Sequence, residues 1–141
     1  MIPSNVQSIG SYAFSGCKSI TKVIINNSVK NIGRDCFLEC INLKEITFPD
    51  DETFTSIPFE CCYRCTSLTN VNISENIKTI ENGAFENTGL SDINLSHITS
   101  IGSLAFYLTN LNNINFSNSL TFIADRAFER CKVYRKCYDS C

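Results

Sequence analysis

Apolar and polar residues recur along the chain in units of 21 to 25 residues. In each unit an isoleucine stands five residues before an apolar anchor, which is usually phenylalanine. The pairs are Ile9 with Phe14, Ile32 with Phe37, Ile57 with Cys62, Ile80 with Phe85, Ile101 with Phe106, and Ile123 with Phe128. Six matches in one register indicate an internal repeat, and a repeat of this length predicts a solenoid.

Each full unit continues with two short apolar segments that follow the anchor. The first has the pattern L-x-x-I-x-I, whose last two apolar positions alternate with polar ones as in a strand with one buried face. These segments are Ile20-Val23-Ile25, Leu43-Ile46-Phe48, Leu68-Val71-Ile73, Leu90-Ile93-Leu95 and Leu111-Ile114-Phe116. The second is a shorter apolar pair, such as Val29 with Ile32, and it predicts a second extended run in every unit.

The stretch from Ile9 to Cys17 is the compact part of the unit. Its Ile, Phe and Cys fall on one side of about two helical turns, which favours a short α or 3-10 segment. No single unit can bury its apolar face alone, so neighbouring units must stack and their strands pair in parallel. The predicted fold is a β-dominated α/β-type repeat solenoid, a leucine-rich-repeat stack with a parallel sheet, short second strands and short α or 3-10 turns.

The repeat also predicts the domain organisation. We expect residues 1–131 to form one solenoid of about six repeat registers, with a truncated first unit, and residues 132–141 to form a C-terminal cap or tail. The first residues, Ile2 and Pro3, match the middle of a later unit at Phe48 and Pro49. The sequence therefore reads as a piece of a longer array.

The I-x-x-x-A-F-x-x-C units, which span about residues 6 to 131, resemble the BspA-type leucine-rich repeat. This family is found in surface proteins of anaerobic bacteria and of parasitic protists. The resemblance implies a cell-surface adhesion or host-binding protein with a protein or glycoprotein partner. The units depart from the commoner pattern L-x-x-L-x-L-x-x-N/C-x-L, since Ser28 stands three residues after Ile25, so details of that type are not carried over.

Charge and hydropathy narrow the classes of partner. Charged residues make up 18% of the chain, the formal net charge is −2 and the isoelectric point is about 5.3. No overall positive field exists to attract nucleic acid. No apolar run is long enough to insert into a membrane, and the first residues lack the features of a signal peptide. An intracellular, cytoplasmic scaffold with the same fold is the alternative to a surface module.

Nine cysteines raise the question of disulfides and metals. Cys17, Cys40, Cys65 and Cys131 share one repeat position with Thr88 and Thr109, so they are predicted to pack as small buried side chains. Cys36 and Cys61 replace an alanine of the core, and Cys62 replaces the anchor. The sequence leaves two disulfides as alternatives to free thiols, one between Cys36 and Cys61 and one among Cys131, Cys137 and Cys141. The second would favour export. The spacing of paired zinc ligands occurs at Cys62-x₂-Cys65 and Cys137-x₃-Cys141. Because the first pair belongs to the repeat, no metal or cofactor is predicted.

Catalytic residues are missing from the pattern. His97, the single histidine, lies on the turn after Leu95 without a nucleophile motif, and it is predicted to be a solvated turn residue. Glycine-rich phosphate loops and paired carboxylates are absent from the sequence. We therefore predict that the protein is not an enzyme. A basic cluster near the C-terminus is interspersed with acidic residues and indicates a solvated cap; its members are Arg126, Arg130, Lys132, Arg135 and Lys136.

The outward face of the first strands is the predicted binding surface. If Val23 and Ile25 point inward, the residues between and before them point outward, and the same parity applies to every unit. The resulting set is Lys22, Ile24, Glu45, Thr47, Asn70, Asn72, Asp92, Asn94, Asn113 and Asn115. Two hypotheses fit these rows of amides. They either form a structural hydrogen-bonded ladder or present a platform for a protein or glycan partner.

Overall fold

A computed structural model describes residues 1–132, which wind into a series of about five stacked coils. Nine short strands mark the coils. They are β1 (Ser8–Ile9), β2 (Lys22–Ile24), β3 (Asn31–Ile32), β4 (Glu45–Thr47), β5 (Ser56–Ile57), β6 (Asn70–Asn72), β7 (Thr79–Ile80), β8 (Ser100–Ile101) and β9 (Phe122–Ile123).

The strands form parallel sheets along the stack. The first strands of three successive coils pair in the order β2-β4-β6, and the second strands form one sheet in the order β5-β7-β8-β9 and a pair β1-β3. Every pairing joins equivalent residues of neighbouring coils, as in Val23 with Ile46 and Ile57 with Ile80. The prediction of a parallel-sheet solenoid with short second strands is confirmed.

The anchors stack on one another inside the coils. The rings of Phe14 and Phe37 lie 5.5 Å apart between centroids, and Phe106 lies 5.7 Å from Phe85 and 5.2 Å from Phe128, all nearly parallel. Such aromatic pairs add about 0.5 to 1.5 kcal/mol each to the free energy gained by burial. The row is interrupted where Cys62 takes the anchor position. The phenylalanines therefore set the register of the stack on both sides of that coil.

The compact segments are series of turns, and the predicted α or 3-10 segments are not confirmed anywhere within residues 1–132. In the first coil, alternate N–H groups donate to carbonyls three residues earlier, as Ser15 does to Tyr12 at 3.0 Å. The N–H groups between them donate to the next coil, as Phe14 does to Cys36 at 2.9 Å. A helix keeps its N–H groups within the segment, so this division of hydrogen bonds excludes one.

Left-handed backbone conformations produce that alternation. Each compact segment contains two residues with positive φ, four positions apart, such as Asp35 and Glu39, both at 55°. Every such residue redirects the chain, which aims alternate N–H groups at the neighbouring coil. Only Gly16 and Gly83 in this set are glycines. Since most of these positions carry side chains that give no sign of a left-handed conformation, the sequence pattern favours a helix instead.

The sheet of first strands ends after β6, although the sequence predicts five such strands. Residues 92–94 and 113–115 are not strands, and only an isolated bridge between Leu95 and Phe116 continues the ladder. Leu90 stands five residues after its anchor, whereas Leu43 stands six after Phe37. This shorter connection accompanies the loss of regular pairing, so the prediction of regular strands is wrong there. The second sheet is unaffected and runs on through β8 and β9.

Within the described residues, no helix has the length and apolar character required to cross a membrane.

Candidate binding surface

We call the outward side chains of β2, β4 and β6, together with residues 92, 94, 113 and 115, the open sheet face. Val23 and Ile46 are buried beneath it, while the side chains on either side of them point away from the core. Ile24, Glu45 and Thr47 are half-buried. The remaining predicted site residues are exposed, namely Lys22, Asn70, Asn72, Asp92, Asn94, Asn113 and Asn115.

Charge on the open sheet face is confined to a few positions. Lys22 and Glu45 form an ion pair with 3.2 Å between Nζ and Oε1. An exposed pair of this kind contributes little stability, but it neutralises that end of the face. Of the other predicted residues only Asp92 carries a charge. The face is therefore polar and nearly neutral over most of its length.

Few hydrogen bonds connect the amides of this face. Asn72 donates from Nδ2 to the Thr47 hydroxyl of the preceding coil at 3.1 Å, and Asn94 accepts from the Ser96 N–H at 3.0 Å. Within residues 1–132, the side chains of Asn70 and Asn115 have no hydrogen bond to the protein. A continuous amide ladder is thus not present in the described part of the chain, and most of these donors and acceptors face solvent.

Three predicted residues meet at a shallow depression of about 330 Å³. Thr47 and Asn72 are the last residues of β4 and β6, Asn94 is the equivalent residue of the next coil, and all three line the depression. The other predicted residues lie outside it. The complete lining consists of these three residues with Phe48, Asp50, Val71, Ile73 and Ser74. Hydroxyl, amide and carboxylate groups therefore line the depression together with three apolar side chains.

Sequence reasoning missed Asp50 and Ser74 as members of this depression. Asp50 accepts a hydrogen bond from Nδ2 of Asn76 at 2.9 Å, which fixes its carboxylate beside the rim. It lies in the segment that lengthens one coil, and the repeat pattern alone indicates only an extended turn there. An insertion directly after a first strand was the available signal, because it places extra polar groups at the edge of the sheet.

Three cysteines of the ladder, Cys40, Cys65 and Cys131, occupy the core, and each thiol donates to a backbone carbonyl. Cys40 Sγ donates to the Phe14 carbonyl and Cys65 Sγ to the Phe37 carbonyl, both at 3.0 Å. In a later coil the Thr88 hydroxyl donates to the carbonyl of Phe85 at 2.9 Å. Threonine and cysteine can therefore alternate at this position because both find a carbonyl acceptor, and a buried hydroxyl without a partner is costly.

The remaining thiols agree with the predicted packing role. Cys36, Cys61 and Cys62 are fully buried, and burial raises the pKa of Cys36 to about 12. Cys17 is half-buried. All seven described cysteines are free thiols, including the Cys36 and Cys61 pair. Cys137 and Cys141 lie outside the described residues.

Metal ligands are not clustered in the part of the chain that the structure describes. No group of three or more His, Cys, Asp or Glu side chains is arranged there to hold a metal ion.

The environment of His97 differs from the predicted one. Both of its ring nitrogens are buried and have no hydrogen-bond partner, so the side chain is not the solvated residue expected from the sequence. The turn from Leu95 to Ile98 is one residue shorter than the turn from Ile73 to Ile77.

The described part of the basic cluster is held by neighbouring side chains. Arg126 pairs with Glu129, and its guanidinium lies 5.5 Å from the centroid of the Tyr107 ring. Arg130 lies 5.9 Å from the same ring. Arg135 and Lys136 are outside the described residues. Both arginines contact side chains of the protein itself, and the solvated cap stays a prediction.

Comparison with known proteins places this geometry among leucine-rich repeats. The sequence model of the BspA type Leucine rich repeat region matches in six copies, over residues 1–107 and 95–137. A crystal structure of a leucine-rich repeat protein from Eubacterium ventriosum is 26% identical, with a TM-score of 0.81, and the match covers 94% of this chain and 36% of that one. A leucine-rich repeat protein from Bacteroides ovatus is 29% identical, with a TM-score of 0.66, covering 84% and 29%.

This chain thus spans about a third of the length of those structures. No functionally curated protein matches it in sequence. A leucine-rich repeat fold is typically a non-enzymatic scaffold for interactions with other proteins.

Proposed function

The chain belongs to the BspA type leucine-rich repeat family, and on that premise we propose that it is a protein-interaction module which binds a protein or glycoprotein on the open sheet face. It acts without catalysis, as part of a cell-surface adhesion or host-binding protein. One observation carries the proposal. The side chains of Asn72 and Asn94 are exposed beside a depression on this face, so their remaining donors and acceptors are available to a partner.

The chemistry of this face suits a neutral, hydrogen-bonding partner. An amide both donates and accepts, so asparagine side chains can match peptide groups or sugar hydroxyls. Removing an amide from water costs far less than removing a charge, which favours burial of this face in a complex. Nucleic acid would require a basic surface, and the open sheet face has one lysine, which is already paired with Glu45.

The surface location rests on the family resemblance, and an intracellular scaffold is the second candidate. Antibody labelling of intact and permeabilised source cells distinguishes the two. A surface protein is labelled before permeabilisation, whereas an intracellular scaffold is labelled only afterwards.

The test of the binding face is a triple substitution of Asn72, Asn94 and Asn115 to Lys. All three side chains are exposed, so the changes add charge without opening a cavity. The readout is binding of the labelled chain to cultured animal cells and to immobilised extracellular-matrix glycoproteins. Binding should fall at least tenfold, because three buried ammonium groups would have to lose their water.

A matched control places three lysines beside the second sheet, at Thr55, Thr99 and Thr121. Lys30 and Lys78 already occupy two equivalent positions, so this row tolerates lysine. The control should fold and bind like the original chain. If the control lost binding while the triple asparagine variant retained it, the partner would lie on the second sheet and the proposal would be wrong.

A further inference from the structure

The cysteine row begins at the first coil, where Cys17 and Cys40 occupy equivalent positions of adjacent coils. The Gly16 N–H donates to the Leu38 carbonyl at 2.7 Å, which fixes the two compact segments in register one residue before this pair. Paired strands lie about 4.8 Å apart. Disulfide-bonded cysteines have Cα atoms roughly 4.4 to 6.8 Å apart, so equivalent residues of coils at that spacing fall within the required range.

The Cys40 side chain points toward the first coil. Its Sγ lies 3.0 Å from the Phe14 carbonyl oxygen. The backbone N–H of Cys17 donates to the same oxygen at 3.1 Å. One carbonyl therefore joins the Cys40 thiol to the Cys17 backbone, which makes the two residues direct neighbours across the coils.

Solvent reaches this pair from one side only. Cys17 is half-buried, whereas Cys40 and Cys65 are fully buried. The adjacent Cys65 thiol and burial both raise the pKa of Cys40, which keeps that thiol protonated. A reagent dissolved in water therefore meets Cys17 first. Cys36 and Cys61 have the same register but no comparable access, because both are sealed in the core.

We propose that Cys17 and Cys40 are a redox modification site, at which a low-molecular-weight disulfide links the first two coils covalently. The Cys17 thiolate attacks one sulfur of the small disulfide, forming a mixed disulfide and releasing one small thiolate. Cys40 then attacks the Cys17 sulfur, its proton passes to the departing thiolate, and a second small thiol leaves. The protein loses two hydrogen atoms, and one small disulfide is reduced to two thiols.

The bond would tie the first described coil to the second. In a solenoid each unit contacts only its neighbours, so the contact between these two coils depends on the residues of their shared interface. Phe14 is only half-buried there, unlike Phe37 and Phe85. A disulfide that closes the segment from Cys17 to Cys40 restricts opening of this coil. Later coils have Thr88 and Thr109 at the equivalent positions, so the site is confined to the N-terminal half.

Oxidised glutathione is the probe for the test. The folded chain is incubated with it, free thiols are blocked with N-ethylmaleimide, and tryptic peptides are analysed by mass spectrometry. Trypsin cleaves after Lys18, Arg34 and Lys44, so the expected product is peptide 1–18 linked to peptide 35–44. Cleavage of the native chain at Lys18 and Lys22 should also slow on the order of tenfold after oxidation.

Two variants identify the sulfur in peptide 35–44. Cys40→Thr, which introduces the residue found at the equivalent position Thr88, should leave glutathione on Cys17 with no linked peptide. Cys36→Ala, which introduces the residue found at the equivalent position Ala84, should preserve the link. The proposal is overturned if the original chain retains glutathione on Cys17 without forming the link, or if peptide 35–44 joins the peptide that begins at Cys65.

Discussion

Residues 14–84 and residues 85–128 share one core register but differ at the surface. The earlier coils are 23 or 25 residues long and carry the regular sheet β2-β4-β6. The later ones are 21 or 22 residues long, and their first segments are joined only by the bridge between Leu95 and Phe116. Anchor stacking and pairing of second strands occur in both regions, although within the earlier one they are interrupted at Cys62 and between β3 and β5. The stack is therefore held by its phenylalanines and second strands, while the open sheet face depends on the length of each coil.

Phe85→Ala is the most direct test of whether the phenylalanine anchors hold the stack together. Phe85 is fully buried between Phe106 and the edge of Phe48, so its removal should cost about 3 to 5 kcal/mol of unfolding free energy. Phe116→Ala removes a side chain that is 46% exposed and should cost about 1 kcal/mol or less. Urea denaturation followed by circular dichroism measures both. Equal losses would show that the assigned core register is wrong.

Gly89→Ala tests whether the shortened coil depends on close packing. A Cβ at this position would lie 2.9 Å from the Thr66 carbonyl oxygen and 3.1 Å from that of Leu68. Both atoms belong to the backbone and cannot rotate away, so we expect a loss of about 1 to 3 kcal/mol. Thermal unfolding measures the effect. Gly10→Ala is the control, since a Cβ there meets nothing within 4 Å; a similar loss in both would rule out the contact as the cause.

The smallest expected effect concerns the longest coil. The Lys30 ammonium and then Thr53 lower the pKa of Asp51 from 3.8 to about 2. Because the folded pKa is the lower one, the stability that Asp51 contributes is present above pH 3.8 and is lost as the pH falls through about 2. On acidification from about pH 4 to about pH 2, the thermal midpoint of Asp51→Asn should therefore fall less than that of the original chain. Added salt should reduce the contribution of Asp51 to this fall in the original chain.

Glu52→Gln is the control in the same turn and should leave the pH profile unchanged. If Asp51→Asn and the original chain had identical profiles between about pH 2 and pH 4, the ion pair with Lys30 would contribute nothing measurable. That result would also show that the lengthened turn is tolerated without a stabilising contact of its own.

The features that depend on apolar spacing were predictable from the sequence. The Ile and Phe positions identified the repeat, and strand parity identified the exposure of residues such as Asn72. Prediction failed where the backbone departs from common conformations. Asp35 and Glu39 are left-handed without being glycine, so paired turns replace the predicted helix. Burial of the His97 nitrogens and the grouping of Asp50 with Asn94 depend on contacts between coils, and such contacts are not encoded in the spacing within one unit.

The two rows of the open sheet face have a consequence for any partner that lies along the stack. A partner bound on this face would meet an amide in each of several successive coils, so moving it by one coil would exchange Asn72 for Asn94. Under the proposed function, several alignments along the amide end therefore have similar energy. The Lys22 and Glu45 pair has no equivalent further along. A partner that contacts this charged pair at one end of the face would therefore bind in a single alignment.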